Sequence, residues 1–523
     1  MFLNLIQARN QIQFNTLDDF IEPDSDVFVI DAFCNFIDPS ELGFVSRGTS
    51  YIGRPAFDDR TLIAIYIYGY LNGIRSSRKL DKACNVNVEL WWLTNKLNPG
   101  YKTIANFRKD NQTGFRNLFN SFRDFCLKLG LYGKETVAID GSKFRAQNSK
   151  KNNYNANKIL QHLDYIENQE KDFIAQLEFN DNLDNQQQIL DKLDNIHKRK
   201  QKYNDLKEQL NNSGHTQIST TDHDAKALPL HMNIVEVAYN VQTSVDDKHN
   251  LVVEFEATNQ KDEQALEPMA SKTKDAFDLG NDDHFTALAD KGYHTAEQLD
   301  KCHNLNIDTL VAPKDVSNKN IHPDFQLDKF IYDIANDLYI CPAGNELSTN
   351  GNWINHKAQA GRKPRRTKRY RSLYSVCSQC PFFNDCVKES SRRNKHGRYI
   401  DRNEFQNAVD KNNNNVHARK VEYKRRQAIV EHPFGTIKRG WGYTYTLMKG
   451  LKKVNTEFSI IFTCYNIKRA MNIIGKNELI KALKSVFCHF FATLLLIMAH
   501  ISNYFYNLHN FLSKTVATLR NYA

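Results

Sequence analysis

The 523-residue sequence predicts an α/β fold: a mixed sheet with helices on its faces, preceded by a helical N-terminal domain. Two observations carry this. Strand-like alternation leads to Asp140 and resumes at Val235, Val237, Tyr239 and Val241; after the turn "DDKHN" it returns at Leu251, Val253 and Phe255, which reads as a hairpin. Pro268 can then open a helix through Phe277, "HFTALAD" makes a fourth strand ending on Asp290, a helix around residues 295–303 leads to the strand "IDTLVAP", and another helix follows residue 400. Strand, strand, strand, helix, strand, helix, strand, helix is the order of a ribonuclease-H-like core. The second observation is the helical spacing that fills residues 16–130.

In that N-terminal part, Asp58 or Asp59 can cap a helix carrying Leu62, Ile63, Tyr66 and Tyr70. Gly73 breaks it and Ser76 or Ser77 restarts it. Phe115, Leu118, Phe119, Phe122, Phe125, Cys126 and Leu129 form an apolar stripe. Arg75, Arg78, Lys79 and Lys82 beside a turn suit a helix-turn-helix reader of DNA, and a plain helical bundle satisfies the same spacing. Residues 155–212 are rich in Asn, Gln, Asp and Lys. Ile159, Leu163, Ile166, Phe173, Ile174 and Leu177 are helically spaced, as are Leu190, Leu193, Ile196, Tyr203, Leu206 and Leu210. With Asn180–Asn185 between the halves, this is a helical hairpin inserted into the core.

Charged residues at 25% and hydrophobic ones at 41% are a soluble globular composition. The net charge of +10 is concentrated: Arg362, Lys363, Arg365, Arg366, Lys368, Arg369 and Arg371 run together with no acid among them. Such a run suits a solvated loop or a polyanionic partner. The start "MFLNLIQARNQIQFN" lacks the charged region of a secretory signal, and ten cysteines in a chain of cytoplasmic character point to thiols or metal rather than disulfides. Residues 486–512 are strongly apolar, but His489 and His500 leave only the ten residues 490–499 uninterrupted. That is short of the roughly 20 a membrane span needs, so a terminal helix packed on the protein or a partner is expected, with membrane attachment the alternative.

The chemistry gathers at three acids. Asp140 and Asp290 end strands that are neighbours in such a core, and the following helix supplies Glu431, with Lys438 seven residues on. Pro433 between them disturbs the shared helix face. Clustered carboxylates tolerate each other when they share Mg²⁺, which binds one or two carboxylates and keeps waters for substrate phosphates. Two such ions about 3.5–4 Å apart serve in-line phosphoryl transfer. Any one of these acids alone is as well read as a cap. Asp222, His223 and Asp224 read as a turn before the second strand rather than as ligands.

A second metal site is expected at Cys341, Cys377, Cys380 and Cys386. Two residues separate Cys377 from Cys380, a spacing that lets both thiolates meet one Zn²⁺, while Cys34, Cys84, Cys126, Cys302, Cys464 and Cys488 are scattered. Unligated thiols and an iron–sulfur cluster are the alternatives. The basic run lies inside the loop that this site would close. Beyond Glu431, "KRGWGYTY" sets Arg439 and Trp441 among aromatics, where Trp441 either stacks an unpaired base or fills a core.

The stretches "RPAFDDRTLIAIYIYGYLNGIRSSRKLDKACNVNVELWWL", "VAIDGSKFRAQNS", "VAYNVQTSVD", "ALADKGYHT" and "IVEHPFGTIKRGWGY" resemble, in this order from about residue 20 to 475, bacterial insertion-sequence transposases of the DDE type. The resemblance implies a metal-binding triad of Asp140, Asp290 and Glu431, with Lys438 as the basic residue of the Glu helix. Relatives often carry an Arg four residues before the Glu; Gln427 stands there, with Arg425 and Arg426 beside it. The implied cofactors are two Mg²⁺, with Mn²⁺ able to substitute. The implied partner is double-stranded DNA, element ends and target, bound by a homodimer, with no small-molecule substrate and a cytoplasmic, nucleoid-associated location. DNA contacts are expected from Arg75, Arg78, Lys79, Lys143, Arg145, Arg365, Arg366, Lys368, Arg369, Arg425, Arg426, Arg439 and Trp441. A hydrolytic nuclease with the same triad and a catalytically silent DNA-binding protein are the rivals. The expected domains are helical residues 1–130; the first core strand, 131–154; the hairpin, 155–213; the core, 214–315; the basic cysteine-rich insertion, 316–400; the Glu helix, 401–475; and an apolar tail, 476–523.

Overall fold

In the computed structural model the described residues are 14–45, 55–179, 182–230, 234–314, 321–358 and 364–485; Arg362, Lys363 and the apolar segment 486–512 lie outside them. The chain is mixed α/β with a helical N-terminal region. It divides into two compact units. One draws on the chain up to Tyr132, Lys143–Tyr239 and the chain from Pro433 onward; the other is Gly133–Ser142 with Asn240–His432.

The first unit contains α1 (Val27–Phe36), α2 (Asp59–Leu71), α3 (Ser77–Val86), α4 (Val88–Thr94), α5 (Tyr101–Asp110) and α6 (Gln112–Lys128). Asp58 caps α2 by accepting from Arg60 N at 3.3 Å, and Asn87 caps α4 by accepting from Leu90 N at 3.1 Å. The expected stripe on α6 is buried from Phe115 to Cys126 and packs on a helix near the end of the described chain, Leu451–Ile474. Most of that helix from Val454 to Met471 is buried, polar residues such as Glu457 and Asn466 included, with α2 and α6 both packed on it. Asp222 and Asp224 serve its N-terminus: Gly450 N donates to Asp222 Oδ1 at 3.0 Å and Leu451 N to Asp224 Oδ2 at 2.8 Å.

In this unit the strand pair β2 (Asn153–Asn155) and β3 (Gln217–Ser219) flanks α7 (Ala156–Glu178) and α8 (Leu183–Ser213). These two helices pack through Ile159, Leu163 and Ile166 against Ile196, Tyr203, Leu206 and Leu210. Ile174 and Leu190, expected in the same stripes, are exposed. Ile189 takes the seam in place of Leu190, because 189, 193 and 196 keep the four-three spacing of one helix face. Midway the seam is polar, with Lys200 and His197 on Glu170 at 2.7 and 2.9 Å.

A six-stranded mixed sheet follows. The strands β1 (Thr136–Arg145), β4 (Lys226–Pro229), β5 (Val235–Asp246), β6 (Val252–Thr258), β7 (Thr286–Ala289) and β8 (Asp308–Val311) form it, in the order β4-β5-β1-β7-β8 with β6 antiparallel to β5. β4 pairs with the first residues of β5, and β1, β7 and β8 run parallel. Between them lie α9 (Leu266–Ala276) and α10 (Ala296–Asn304). β1 does not stop at Asp140, as the sequence suggested, but continues to Arg145. Phe144 is fully buried there, and Arg145 N donates to Thr444 O at 3.2 Å, so both side chain and backbone find partners beyond Asp140.

Five antiparallel strands follow: β9 (Ile331–Asp333), β10 (Leu338–Ile340), β11 (Glu346–His356), β12 (Arg365–Arg371) and β13 (Tyr399–Asn403), ordered β13-β12-β11-β10-β9. Short helices α11 (Tyr374–Ser378), α12 (Phe383–Cys386) and α13 (Glu389–Arg393) connect the last two. The basic run from Arg365 is thus a strand rather than a loop. Thr367 and Tyr370 turn inward, Tyr370 into a cluster with Phe330, Tyr339, Leu347 and Ile400. Then α14 (Gln406–Ala418) covers the edge of β8, where the Asn412 side chain exchanges hydrogen bonds with Val311 N and O at 2.9 and 2.8 Å. α15 (Lys420–Gly435) passes through Pro433 without ending and widens into a π turn at Thr436–Gly440. The Leu451–Ile474 helix is α16. Among the described residues, no helix is long and apolar enough to cross a membrane.

Candidate active site

The parallel register aligns Thr136 with Thr286, Val137 with Ala287 and Ala138 with Leu288. Two residues beyond the last pair on each strand stand Asp140 and Asp290. Neighbouring strands lie about 4.8 Å apart, so this register sets the two acids side by side at the carboxyl end of the parallel strands. Each carboxylate is aimed by a neighbouring backbone amide. Gly141 N donates to Asp140 Oδ1 at 2.8 Å, and Gly292 N to Asp290 Oδ1 at 2.7 Å. Asp290 thereby caps the turn Lys291–Tyr293.

A third acid stands with them. Asp262, just after β6, acts on Asp140 together with Asp290, and both charges push the Asp140 carboxyl upward. Burial is the largest cause. Arg426, with Nη1 3.7 Å from Asp140 Oδ2, and the Gly141 amide oppose it, and the balance leaves Asp140 pushed up to about 6. The phenol of Tyr293 is raised for the same reasons: it is buried and faces Asp262, Asp140 and Asp290. Concentrated negative charge in a half-buried position is a site that attracts cations.

Asp262 is held from β5. Asn240 Nδ2 and Gln242 Nε2 donate to its Oδ1 at 2.7 and 2.8 Å, and Tyr293 OH donates to Gln242 Oε1. Asn240 and Gln242 are wholly buried, and Asn240 Oδ1 has no hydrogen-bond partner among the described residues. A Cβ at Gly141 would stand 2.6 Å from Asp262 Oδ1 and 2.8 Å from Asn240 Oδ1, with Gln242 Nε2 closer still. Only glycine fits at 141, because Gln242, Asp262 and Asn240 crowd the place that a side chain would take. Sequence reasoning missed Asp262. The available signal was the pair of amides in "YNVQTSVD": Asn and Gln two apart in a strand buried on both faces need polar partners.

Glu431 is exposed on α15 and accepts from Gln427 Nε2 at 2.7 Å, so Gln427 steadies the Glu in the place where relatives carry an Arg. Of the two adjacent arginines, Arg426 faces Asp140, while Arg425 pairs with Asp247 at 3.0 Å. Lys438, in the π turn, donates to Lys143 O at 2.7 Å and lies 4.3 Å over the Phe144 ring. Among the described residues, no group of three or more His, Cys, Asp or Glu is set closely enough to hold a metal ion. Asp140 and Asp290 bring carboxylate oxygens, the donor type a hard divalent cation takes, from two neighbouring strand ends.

Cys341, Cys377, Cys380 and Cys386 line one cavity with Phe325 and Phe382. Asn345 N donates to Cys341 Sγ at 3.2 Å and Arg398 N to Cys377 Sγ at 3.4 Å. Burial pushes the Cys386 thiol up to about 11, with the other three cysteines acting in the same direction. Cys34, Cys84, Cys126, Cys302 and Cys464 are buried free thiols far apart in sequence.

The basic residues divide. Arg78, Lys79, Arg145, Arg365, Arg366 and Arg439 are exposed, and Lys143 is half-buried. Arg369 is engaged by both oxygens of Asp401 at 2.7 and 2.9 Å, and Lys368 by Asp337 at 3.0 Å. Trp441 is half-buried with its ring 5.7 Å from Tyr443. Arg75, expected at the DNA, is instead inside the first unit. Its Nη1 binds Glu457 Oε1 and Tyr445 O, both at 2.9 Å, and its guanidinium lies 4.1 Å over the Tyr443 ring.

Residues 340–471 match the family model described as transposase DDE domain, and residues 15–110 match the transposase domain DUF772. Together the two matches support an insertion-sequence DDE transposase, as the motif resemblance implies. Such a family cleaves and transfers DNA and generally uses divalent metals. The first match takes in Glu431, Lys438 and the four clustered cysteines; the second takes in Arg75, Arg78 and Lys79. Comparison with curated proteins and with solved structures found no match.

Proposed function

We propose that the chain is the transposase of an insertion sequence, cutting the ends of its element and joining their 3′ hydroxyls to target DNA. The observation that carries this reading is the parallel register that sets Asp140 beside Asp290 in a chain matching the DDE domain. The sheet is then a ribonuclease-H-like core. Asp140, Asp290 and Glu431 are the residues that would hold two Mg²⁺ ions, or Mn²⁺ in their place. When bound, the ions supply activation of the attacking oxygen and stabilisation of the leaving one. Asp140 and Asp290 are already aimed by the amides of Gly141 and Gly292, so little reorganisation is needed. Arg426 offsets charge at Asp140 in the metal-free protein. Lys438 holds the far half of β1 through Lys143 O and keeps Lys143 and Arg145 in place for backbone phosphates.

Arg78, Lys79, Arg365, Arg366, Lys368, Arg369, Arg425 and Arg439 supply further phosphate contacts, and Trp441 a stacking surface. The end-bound complex is a homodimer working in the cytoplasm on nucleoid DNA. The test uses purified protein, Mg²⁺, a duplex bearing an element end and a target plasmid. Joined product supports the proposal; cut ends with no joined product identify a nuclease, and binding without cutting a silent DNA-binding protein.

The same reading gives the four cysteines one structural zinc. Its support is their shared cavity and the two backbone amides directed at sulfurs. Purified protein is expected to carry about one tightly held zinc per chain, and Cys380→Ser to lose it together with thermal stability. Unchanged zinc content and melting on replacing all four by serine would remove this site.

A further inference from the structure

We propose that the outer part of the β11–β12 pair is a ribbon that enters the major groove of double-stranded DNA, which rests on the reading of the chain as a DNA transposase. In it Asn355 reads base edges, and Trp353 is a positioning residue for Arg366 and Lys368.

The antiparallel register sets Trp353 opposite Lys368, Ile354 opposite Thr367, Asn355 opposite Arg366 and His356 opposite Arg365. Directly opposed residues share a face and successive residues change face, so Trp353, Asn355, Arg366 and Lys368 stand together on one side. The contacts agree: Arg366 and Lys368 lie over the Trp353 ring, 5.3 and 5.4 Å from its centroid. Toward the base, the same face of β12 carries Tyr370, buried in its cluster with Leu347 and Ile400. Toward the tip the packing gives out. The pairing of β12 with β13 ends at Thr367, and residues 350–355 of β11 are exposed on both faces. Trp353 and Ile354 are 39% and 37% exposed there. Two strands with no layer behind them are marginal in water, so a partner is called for.

Charge decides which partner. From Trp353 to Arg371 the chain has no acid. The acids that approach from outside are engaged: Asp337 by Lys368, Asp401 by Arg369, and Glu404 by the Arg366 backbone amide at 3.2 Å. Among the described residues, the side chains of Arg365 and Arg366 make no ion pair, and the Asn355 amide makes no hydrogen bond. A two-stranded ribbon fits the major groove of B-DNA, about 12 Å wide, where an Asn amide pairs with both N6 and N7 of adenine. Arg366 and Lys368, held in place by the Trp353 ring, then meet the phosphates on either side of that contact.

The experiment measures fluorescence anisotropy of full-length protein on a duplex bearing the element end and on a scrambled duplex of the same composition, with thermal melting as a fold control. Asn355→Ala removes a base contact and no charge, so it is expected to weaken binding to the end about tenfold and to the scrambled duplex less than twofold. Trp353→Ala is expected to weaken binding to both at least about threefold, and Trp353→Phe to restore it, because a phenyl face also holds the cations. Should Trp353→Ala fail to fold, Asn355→Ala decides the question. Equal loss on both duplexes in Asn355→Ala would overturn base reading. Wild-type binding to both duplexes by the two folded alanine variants, while wild type prefers the end, would overturn the ribbon and leave the transposase reading standing. A loss of dimer in sedimentation with unchanged DNA binding would overturn it too, by giving the face to a second copy of the chain. A wild-type protein with no preference for the end would overturn the end-binding reading itself.

Discussion

Asp140→Asn is expected to abolish end cleavage and strand transfer, by at least about a thousandfold, while end binding and folding stay close to normal. The substitution preserves shape and can still accept from the Gly141 amide, but it removes the charge that would hold the ion. A cation acting as Lewis acid and nucleophile generator is worth several kcal/mol, and each 1.36 kcal/mol is tenfold in rate. Asp290→Asn and Glu431→Gln are expected to behave alike. Combining any two should add little, because residues acting as one unit are not additive. If Asp140 were a structural acid beside a backbone amide, Asn would serve nearly as well. A cleavage assay in Mg²⁺ separates the two outcomes by orders of magnitude.

The second large effect concerns stability. Arg75→Ala is expected to destabilise the protein by about 3–5 kcal/mol, because it leaves Glu457 buried without its cation. Glu457 is completely buried and also accepts from Leu447 N and Met448 N, so its carboxylate organises the segment leading into α16. Arg78→Ala, three residues on and exposed, is expected to change stability by no more than about 0.5 kcal/mol. Urea denaturation of the two variants measures the contrast. Equal effects would mean that the Arg75–Glu457 pair contributes nothing of its own.

That contrast also shows where sequence reading reaches its limit. Arg75, Arg78 and Lys79 are alike as basic residues after a turn; only the fully buried Glu457, remote in sequence, separates Arg75 from the others. Local periodicity was enough for the α6 stripe, for the β5–β6 hairpin and for β7 and β8, since each is written in consecutive apolar spacing. The neighbouring placement of Asp140 and Asp290 followed from strand order. The extension of β1 to Arg145 did not, because its partners come from Thr444 and Thr446. Asp262 was hidden for a similar reason: it stands in a turn after β6, and the amides that hold it sit on β5. In the basic run, strong charge masked two inward residues, Thr367 and Tyr370, that suffice to seat a strand between β11 and β13.

The central claim is that Asp140 and Asp290 touch the catalytic metal, and a metal-rescue assay tests it most directly. Thiolate is a poor ligand for hard Mg²⁺ and a better one for Mn²⁺. Asp140→Cys and Asp290→Cys are therefore expected to be inactive in strand transfer with Mg²⁺ and to regain at least about tenfold more activity, relative to wild type, with Mn²⁺. Equal loss in both metals by well-folded variants would contradict direct ligation.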